Sequence, residues 1–350
     1  MKKICYLFFS CIIHCCIIAQ PLPDSIKLKF NKAKTDSEKG KILIRYFDWD
    51  IIDDDSFLKN LAALRQYFEV KKDLVAEDYV RIGMTRKMSR VGEYVESLDE
   101  LFQLLPRFEQ RKDEYGIMTI NMHFSYAYYA AGDKEKTLYY DKQAVDLSRL
   151  LGDKYELAWA FNNFGSDLSE YGFGDSSFEY TKAALRLARE MNEPLLLCTT
   201  LGSLAETYIA QKKYDTAIYY LRECLPIALV FSKADAGFAL NDFSEIFLAK
   251  HQNDSAIYYA NRAGELCKKI NLASQLLRAY QYLYTIYAST GPLDSAYKYL
   301  GFIVSTKDSI FSLDKAKQVE VINMRELNHK QEIEQEKEAF QNKINCTHFL

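Results

Sequence analysis

The sequence predicts an all-α protein, an α-α superhelix of about seven helical hairpins followed by a long C-terminal helix. Three observations carry this. A motif typified by Tyr214-Asp215-Thr216-Ala217-Ile218-Tyr219-Tyr220 recurs with its small residue at positions 137, 177, 217, 256 and 296. The spacing is even except for one step, between 217 and 256, that is shorter by a single position. Apolar residues within each period follow helical 3,4 spacing in two blocks, separated by a short polar or glycine turn such as Ala131-Gly132-Asp133, Tyr171-Gly172-Phe173 or Thr290-Gly291-Pro292. The whole chain of 350 residues has only 14 Gly and 6 Pro against 26 Tyr and 21 Phe, the composition of a folded helical protein with aromatic packing.

From the N-terminus, residues 1–19 read as a secretory signal peptide. Lys2 and Lys3 precede an uncharged apolar run from Ile4 to Ile18, and Ala19-Gln20-Pro21 offers the cleavage point. The run is too short for a comfortable transmembrane helix. Ile17 is larger than ideal three positions before the cut, so an uncleaved anchor is the alternative. Cys15 and Cys16 suggest a lipoprotein, but His14 stands where a small residue is expected. The predicted location is exported, periplasmic or in the cell envelope.

Residues 20–77 form an N-terminal segment with one degenerate hairpin, marked by Ile42, Leu43, Tyr46 and Phe47 and then by Phe57, Leu58, Leu61, Leu64 and Phe68. Residues 78–310 are the repeat array. Its first unit, roughly 78 to 113, is degenerate and keeps register through Thr85, Met88, Gly92, Ser97 and Leu104. Five clear units follow. The first four each have a small residue in the first helix (Ser125, Gly165, Ala205, Ser244), a large one three positions on (Tyr128, Leu168, Tyr208, Phe247), and a second small one in the second helix (Ala144, Ala184, Cys224, Ala263). Small residues at fixed places let two helices approach closely while large ones fill the facing grooves. In the final unit Tyr284 and Ile303 replace the expected small residues, as suits a terminal cap.

Residues 311–345 read as a charged helix, with Val319, Ile322, Ile333 and Phe340 on one stripe interrupted by Glu326, His329 and Glu336. It is either a solvated helix laced by i,i+4 charge pairs or a weak coiled coil through which the chain forms a homodimer. Residues 346–350 are a tail.

The pattern of small residue, aromatic, turn glycine, alanine, aromatic, alanine resembles the tetratricopeptide repeat, most clearly from Asn162-Asn163-Phe164-Gly165 to Ala184 and from Leu204-Ala205-Glu206-Thr207-Tyr208 to Cys224. The period, about 40 residues, exceeds that repeat's usual 34 and implies lengthened helices. Together with the signal peptide, the Lys307-Asp308-Ser309-Ile310-Phe311-Ser312 segment and the charged helix, it resembles the periplasmic part of repeat-containing bacterial sensor histidine kinases and membrane-bound regulators. That resemblance implies a transmembrane helix and an output domain, neither of which is in this sequence, so membrane attachment is expected only through a missing C-terminal anchor or an uncleaved signal.

Chemistry is not indicated. A formal charge of -3 gives no basic footprint for nucleic acid. His123, His251, His329 and His348 are each alone, and His329 lacks the acidic neighbour and downstream proline of a phospho-accepting box. Asp53-Asp54-Asp55 has no loop glycine or closing glutamate for a metal and reads as a helix N-terminal acidic cap. Cys198, Cys224, Cys267 and Cys346 have no CxxC spacing, and Cys224 reads as a small core residue. No catalytic residue, metal or cofactor is predicted.

The pairs Tyr139-Tyr140, Tyr219-Tyr220 and Tyr258-Tyr259 lie on second helices and are expected to pack between repeats. Binding is expected on the concave side, lined by first-helix residues outside the packing positions: Arg86, Met122, Tyr126, Trp159, Asn162, Glu206, Phe238, Asn241, Glu245, Arg278 and Gln281. Asn162 and Asn241 share one repeat position two units apart, where a carboxamide can both donate to and accept from a peptide backbone. The expected function is a non-catalytic protein- or peptide-binding array, the extracytoplasmic sensing part of a signal-transduction protein. The alternative is an exported structural or assembly scaffold.

Overall fold

A computed structural model describes residues 22–50, 55–90 and 92–310, together with residues 319, 322, 323 and 327. Fifteen helices follow one another among the described residues. After α1 (Asp24–Lys32), the first helices of seven hairpins are α2 (Asp36–Asp50), α4 (Leu74–Arg90), α6 (Glu114–Ala131), α8 (Lys154–Glu170), α10 (Pro194–Ala210), α12 (Lys233–Ala249) and α14 (Ala273–Thr290). Their second helices are α3 (Asp55–Lys71), α5 (Tyr94–Arg111), α7 (Lys134–Leu151), α9 (Gly174–Met191), α11 (Tyr214–Phe231), α13 (Asn253–Lys269) and α15 (Leu293–Ile310). From α3 onward every helix has 17 or 18 residues, the lengthening that the long period requires.

Helix ends are written locally. A left-handed residue closes helix after helix, at even spacing, at Lys72, Gly92, Lys112, Gly132, Gly152, Gly172, Asn192 and Lys212. Where Asp follows, at Asp73, Asp113, Asp133 and Asp153, its carboxylate accepts from the backbone N–H of Ala76, Gly116, Lys136 and Tyr155 and caps the next helix. The series breaks between α11 and α12. There Ser232 alone joins the helices in extended geometry (φ -156), its hydroxyl accepting from Asp235 N at 3.2 Å. This one-residue connection is the physical origin of the single shortened step in the repeat, after which left-handed residues resume at His251, Asn271 and Gly291.

Each hairpin is held by the predicted close approach. A Cβ on Gly165 would lie 2.7 Å from Thr181 Cγ2 and 3.0 Å from its backbone nitrogen. Ser97 and Ser244 use the same proximity to donate hydroxyl hydrogen bonds across the hairpin, to Thr85 O at 3.0 Å and Ala256 O at 3.0 Å. Aromatic stacks then fill the hairpin ends: Phe124, Tyr128 and Tyr140; Tyr208 and Tyr220; Phe243, Phe247 and Tyr259; Tyr287 and Tyr299.

The tyrosine pairs therefore divide, which corrects the expectation. Tyr140, Tyr220 and Tyr259 pack within their own hairpin rather than between repeats. Their partners Tyr139, Tyr219 and Tyr258 are exposed by 50, 64 and 56%, because adjacent helix positions point about 100° apart. Cys198, Cys224 and Cys267 are free and fully buried. Cys346, His329, His348, Asp53, Asp54 and the signal segment 1–19 lie outside the described residues.

The array is tightly curled at its N-terminal end. Arg45 on α2 reaches Asp153 at 2.9 Å and Glu156 at 3.4 Å at the start of α8, and Lys41 reaches Asp153 at 3.1 Å. Asp78, fully buried, is compensated by Arg107 at 3.0 Å and Arg111 at 2.8 Å, which pins α4 to α5. The described part of the C-terminal segment returns to this end. Ile322 is buried with the core of α1 to α7 and Val319 packs against it. Asn323 Oδ1 accepts from Tyr128 Oη at 3.0 Å and from Lys136 Nζ at 2.9 Å. The first half of the predicted stripe thus lies on its own chain, while Ile333 and Phe340 fall outside the described residues. Among the described residues, no helix is long and apolar enough to cross a membrane.

Because the atoms facing Gly165 include backbone, Gly165→Ala is expected to destabilise the chain by about 1–3 kcal/mol through overpacking. Gly174→Ala, which meets nothing within 4 Å, is expected to leave the thermal midpoint unchanged, and thermal denaturation of the two variants checks the contrast.

Candidate ligand-binding groove

The first helices α4, α6, α8, α10, α12 and α14 enclose a cavity of about 480 Å³, in the size range of sites that take small molecules or short chain segments. Its lining is contributed by residues that the packing pattern leaves free. Arg86, Tyr126, Trp159, Asn162, Glu206 and Phe238, all expected from the register, line it. The other five do not. Met122 is half-buried between two core clusters. Asn241 is fully buried and donates to Gln275 O at 2.9 Å and Gln275 Oε1 at 3.0 Å. Glu245 and Arg278 form an ion pair at 2.7 Å that also takes in Asp242 at 3.0 Å, and Tyr282 Oη donates to Glu245 at 2.6 Å. Gln281 is exposed elsewhere on α14. The shared repeat position of Asn162 and Asn241 therefore has two fates: one side chain faces the cavity and the other ties α12 to α14.

Lining residues absent from the expected set include Tyr129, Asn163, Asp167, Glu170, Thr199 and Asp235. Asp167 and Glu170 lie close to the packing position Leu168, so a strict reading of the register assigns them to the hairpin. The angular width of a curved inner face, wider than one stripe, brings them into the cavity.

At one end of the cavity the Arg86 guanidinium sits over the rings of Tyr126 and Trp159, with centroids 5.2 and 5.5 Å away. Tyr126 Oη donates to Asn163 Oδ1 at 3.1 Å and so fixes that amide. Beside them are two polar atoms with no partner among the described residues. Trp159 is 4% exposed and its Nε1–H donates to nothing; Asn162 is 3% exposed and its Oδ1 accepts from nothing. They lie one turn apart on α8. A buried donor and a buried acceptor left unmade are each destabilising, typically by about 1–3 kcal/mol, so a matching donor–acceptor pair from a ligand would be held there.

The middle of the cavity is acidic. Tyr129 Oη donates to Glu170 at 2.7 Å, Ser166 Oγ donates to Glu206 at 3.3 Å, and the Asp167 carboxyl meets that of Asp141 on α7, which also accepts from Ser125. Burial first, and then the neighbouring carboxyl, hold Asp167 well above the usual carboxylate range, and burial also raises Asp141. Two carboxyls in contact cannot both ionise, so they share a proton. Burial and the Asp242 charge push Glu206 up to about 8, against the opposing pull of Arg278.

No family model matches the chain, and no curated protein matches it. Solved structures do. The chain is similar to a Rap protein complexed with Competence and Sporulation Factor (12% identity, 89% of this chain and 92% of that one, TM-score 0.61). It is similar to NprR in complex with its cognate peptide NprX (14%, 89% and 88%, TM-score 0.57). It is also similar to the apo form of RapI (12%, 76% and 98%, TM-score 0.56). At these identities the likeness is one of fold, and it places the architecture among tetratricopeptide-type helical repeats.

A carboxyl pair that keeps a shared proton loses stability as pH rises through the interval between the unfolded carboxylate value, about 4, and its raised folded value. Asp141→Asn replaces the shared proton by a permanent N–H donor. The variant is expected to gain on the parent in thermal midpoint from pH 5 to pH 8, as melting curves across that range would show.

Proposed function

We propose that this chain is a non-catalytic receptor for a peptide segment, which it holds in the groove bounded by α4, α6, α8, α10, α12 and α14. The observation that carries the reading is the unpartnered pair on α8. Trp159 Nε1–H matches a peptide carbonyl and Asn162 Oδ1 matches a peptide N–H, the two groups that every extended backbone presents in alternation. Arg86, held over two aromatic rings, adds a cation suited to a carboxylate. Two of the structurally similar proteins, the Rap protein and NprR, are complexed with a factor or cognate peptide, which supports a ligand-holding role for this fold here.

The setting we propose is extracytoplasmic sensing, as in the repeat-containing sensor kinases and membrane-bound regulators that the sequence resembles. The N-terminal apolar run supports export. A relay is supported by α6, where Tyr129 lines the cavity and the adjacent Tyr128 holds Asn323 of the C-terminal segment. A ligand that moves Tyr129 turns the same helix that holds Asn323. Fusing the segment from Met1 to Phe30 to alkaline phosphatase tests the location, with activity expected only if the fusion is exported.

A random heptapeptide display library sorted against the purified chain supplies ligands. For the selected peptides, Trp159→Phe and Asn162→Ala are each expected to weaken binding to the folded fraction about 5- to 100-fold, the range of one buried hydrogen bond. Asn241→Ala, by contrast, is expected to lower the midpoint and leave the affinity of the folded fraction unchanged. Peptides that bind all three variants like the parent would remove the proposal.

A further inference from the structure

The acidic middle of the groove contains a row of carboxyls that form no ion pair, although Arg86 and Lys233 line other parts of the same cavity. Asp167 and Glu170 on α8 and Glu206 on α10 line one cavity, and among the described residues no lysine or arginine lies within ion-pair distance of any of them. The contrast lies one unit along, where Glu245 stands at the same repeat position as Glu206 and is paired with Arg278 at 2.7 Å. The charges around Glu206 are mostly of its own sign: Asp167 and Glu170 from α8 and Asp242 from α12, with Asp141 behind Asp167 on α7, against Arg278 from α14. Tyr129 and Ser166 are its neutral neighbours and are already donating to Glu170 and Glu206. Carboxyls crowded into a half-buried cleft without a counter-charge keep protons that they would lose in water. The same cavity holds the unpartnered Trp159 and Asn162 polar atoms, so the acidic row belongs to a site already built for an occupant.

Resting on the peptide reading above, we infer that the occupant carries a cationic lysine or arginine side chain, which docks among Asp167, Glu170 and Glu206. The bound cation supplies the counter-charge that the fold omits, and protons leave to solvent as it enters. Binding therefore strengthens as pH rises, because above the raised carboxyl values the site is already ionised and no proton need be removed. A neutral occupant, accepting a hydrogen bond from a protonated carboxyl, would show the opposite slope.

The test begins with the display-selected heptapeptides and the full chain. Each winner is made in three forms: free, N-acetylated, and with every lysine and arginine replaced by norleucine. Calorimetry is run at pH 5.5, 7.0 and 8.5 in two buffers of different ionisation heat. Expected are affinity rising about tenfold or more from the lowest to the highest pH, net proton release, and a large loss in the norleucine form but not in the N-acetylated form, because only the side-chain cations stay charged across this range. Glu206→Gln, which relieves charge crowding and is expected to fold at least as stably, should bind about tenfold more weakly at pH 8.5 and flatten the pH profile. Winners that bind equally well in the norleucine form, or whose affinity falls with pH, overturn this inference and leave the peptide reading standing. A sort that yields no binder overturns both.

Discussion

Everything in this molecule depends on how closely the two helices of each hairpin can approach. Gly165 admits the Thr181 backbone, and Ser97 and Ser244 donate to carbonyls of the facing helix because their own side chains are small enough to let it near. With that distance fixed, the aromatic stacks of Tyr128 with Tyr140, Tyr208 with Tyr220 and Phe247 with Tyr259 have one geometry available, and the hairpins repeat it. Successive hairpins then add as equivalent steps, and the first helices line the inside of the curve. The interior is where residues outside the packing positions differ from unit to unit.

Those freed positions are used in two ways. Toward the C-terminal side, Asp242, Glu245, Arg278 and Tyr282 neutralise one another and Asn241 grips Gln275, so polar groups become mortar between α12 and α14. In the middle of the array, Trp159 Nε1 and Asn162 Oδ1 are left without partners, and the carboxyls of Asp167 and Glu206 are left without a paired cation. Leaving such groups uncompensated costs stability, and that cost is withdrawn when a complementary occupant arrives. Among the described residues, Asn241 Oδ1 and the Asp242 carboxyl oxygens also lack a hydrogen-bond partner but do not line the cavity, so what separates a site from a wall is an unmade hydrogen bond that faces the cavity.

Much of the fold was legible in the sequence because it is encoded by spacing. The small residues at 137, 177, 217, 256 and 296 set the repeat, and the one-residue shortfall before 256 is the Ser232 connection between α11 and α12. The site was legible only in part. Register identifies which face a side chain takes, so Arg86, Tyr126, Trp159, Asn162, Glu206 and Phe238 could be assigned to the inner face, and they line the cavity. It does not say what stands opposite: Asn162 and Asn241 are equivalent in the pattern, and only the presence of Gln275 across from Asn241 separates them. Nor does a single stripe capture a curved face. Tyr129, Asp167 and Glu170 flank packing positions and belong to the hairpin by pattern, yet curvature turns them inward. Tyr139, Tyr219 and Tyr258 point outward for a simpler reason: each sits about 100° around its helix from the packing tyrosine beside it.

On the peptide reading, the polar atoms of α8 are held in reserve for a backbone that the fold itself does not supply. With only two tryptophans in the chain, a Trp49→Phe variant isolates the Trp159 indole, whose ¹⁵N–¹H signal can be followed by NMR as a selected heptapeptide is added. This indole proton is then expected to move downfield, slow its exchange with solvent and saturate with the binding isotherm, because its nitrogen gains an acceptor. A peptide that binds with full affinity while the Trp159 signal stays where it was would contradict it.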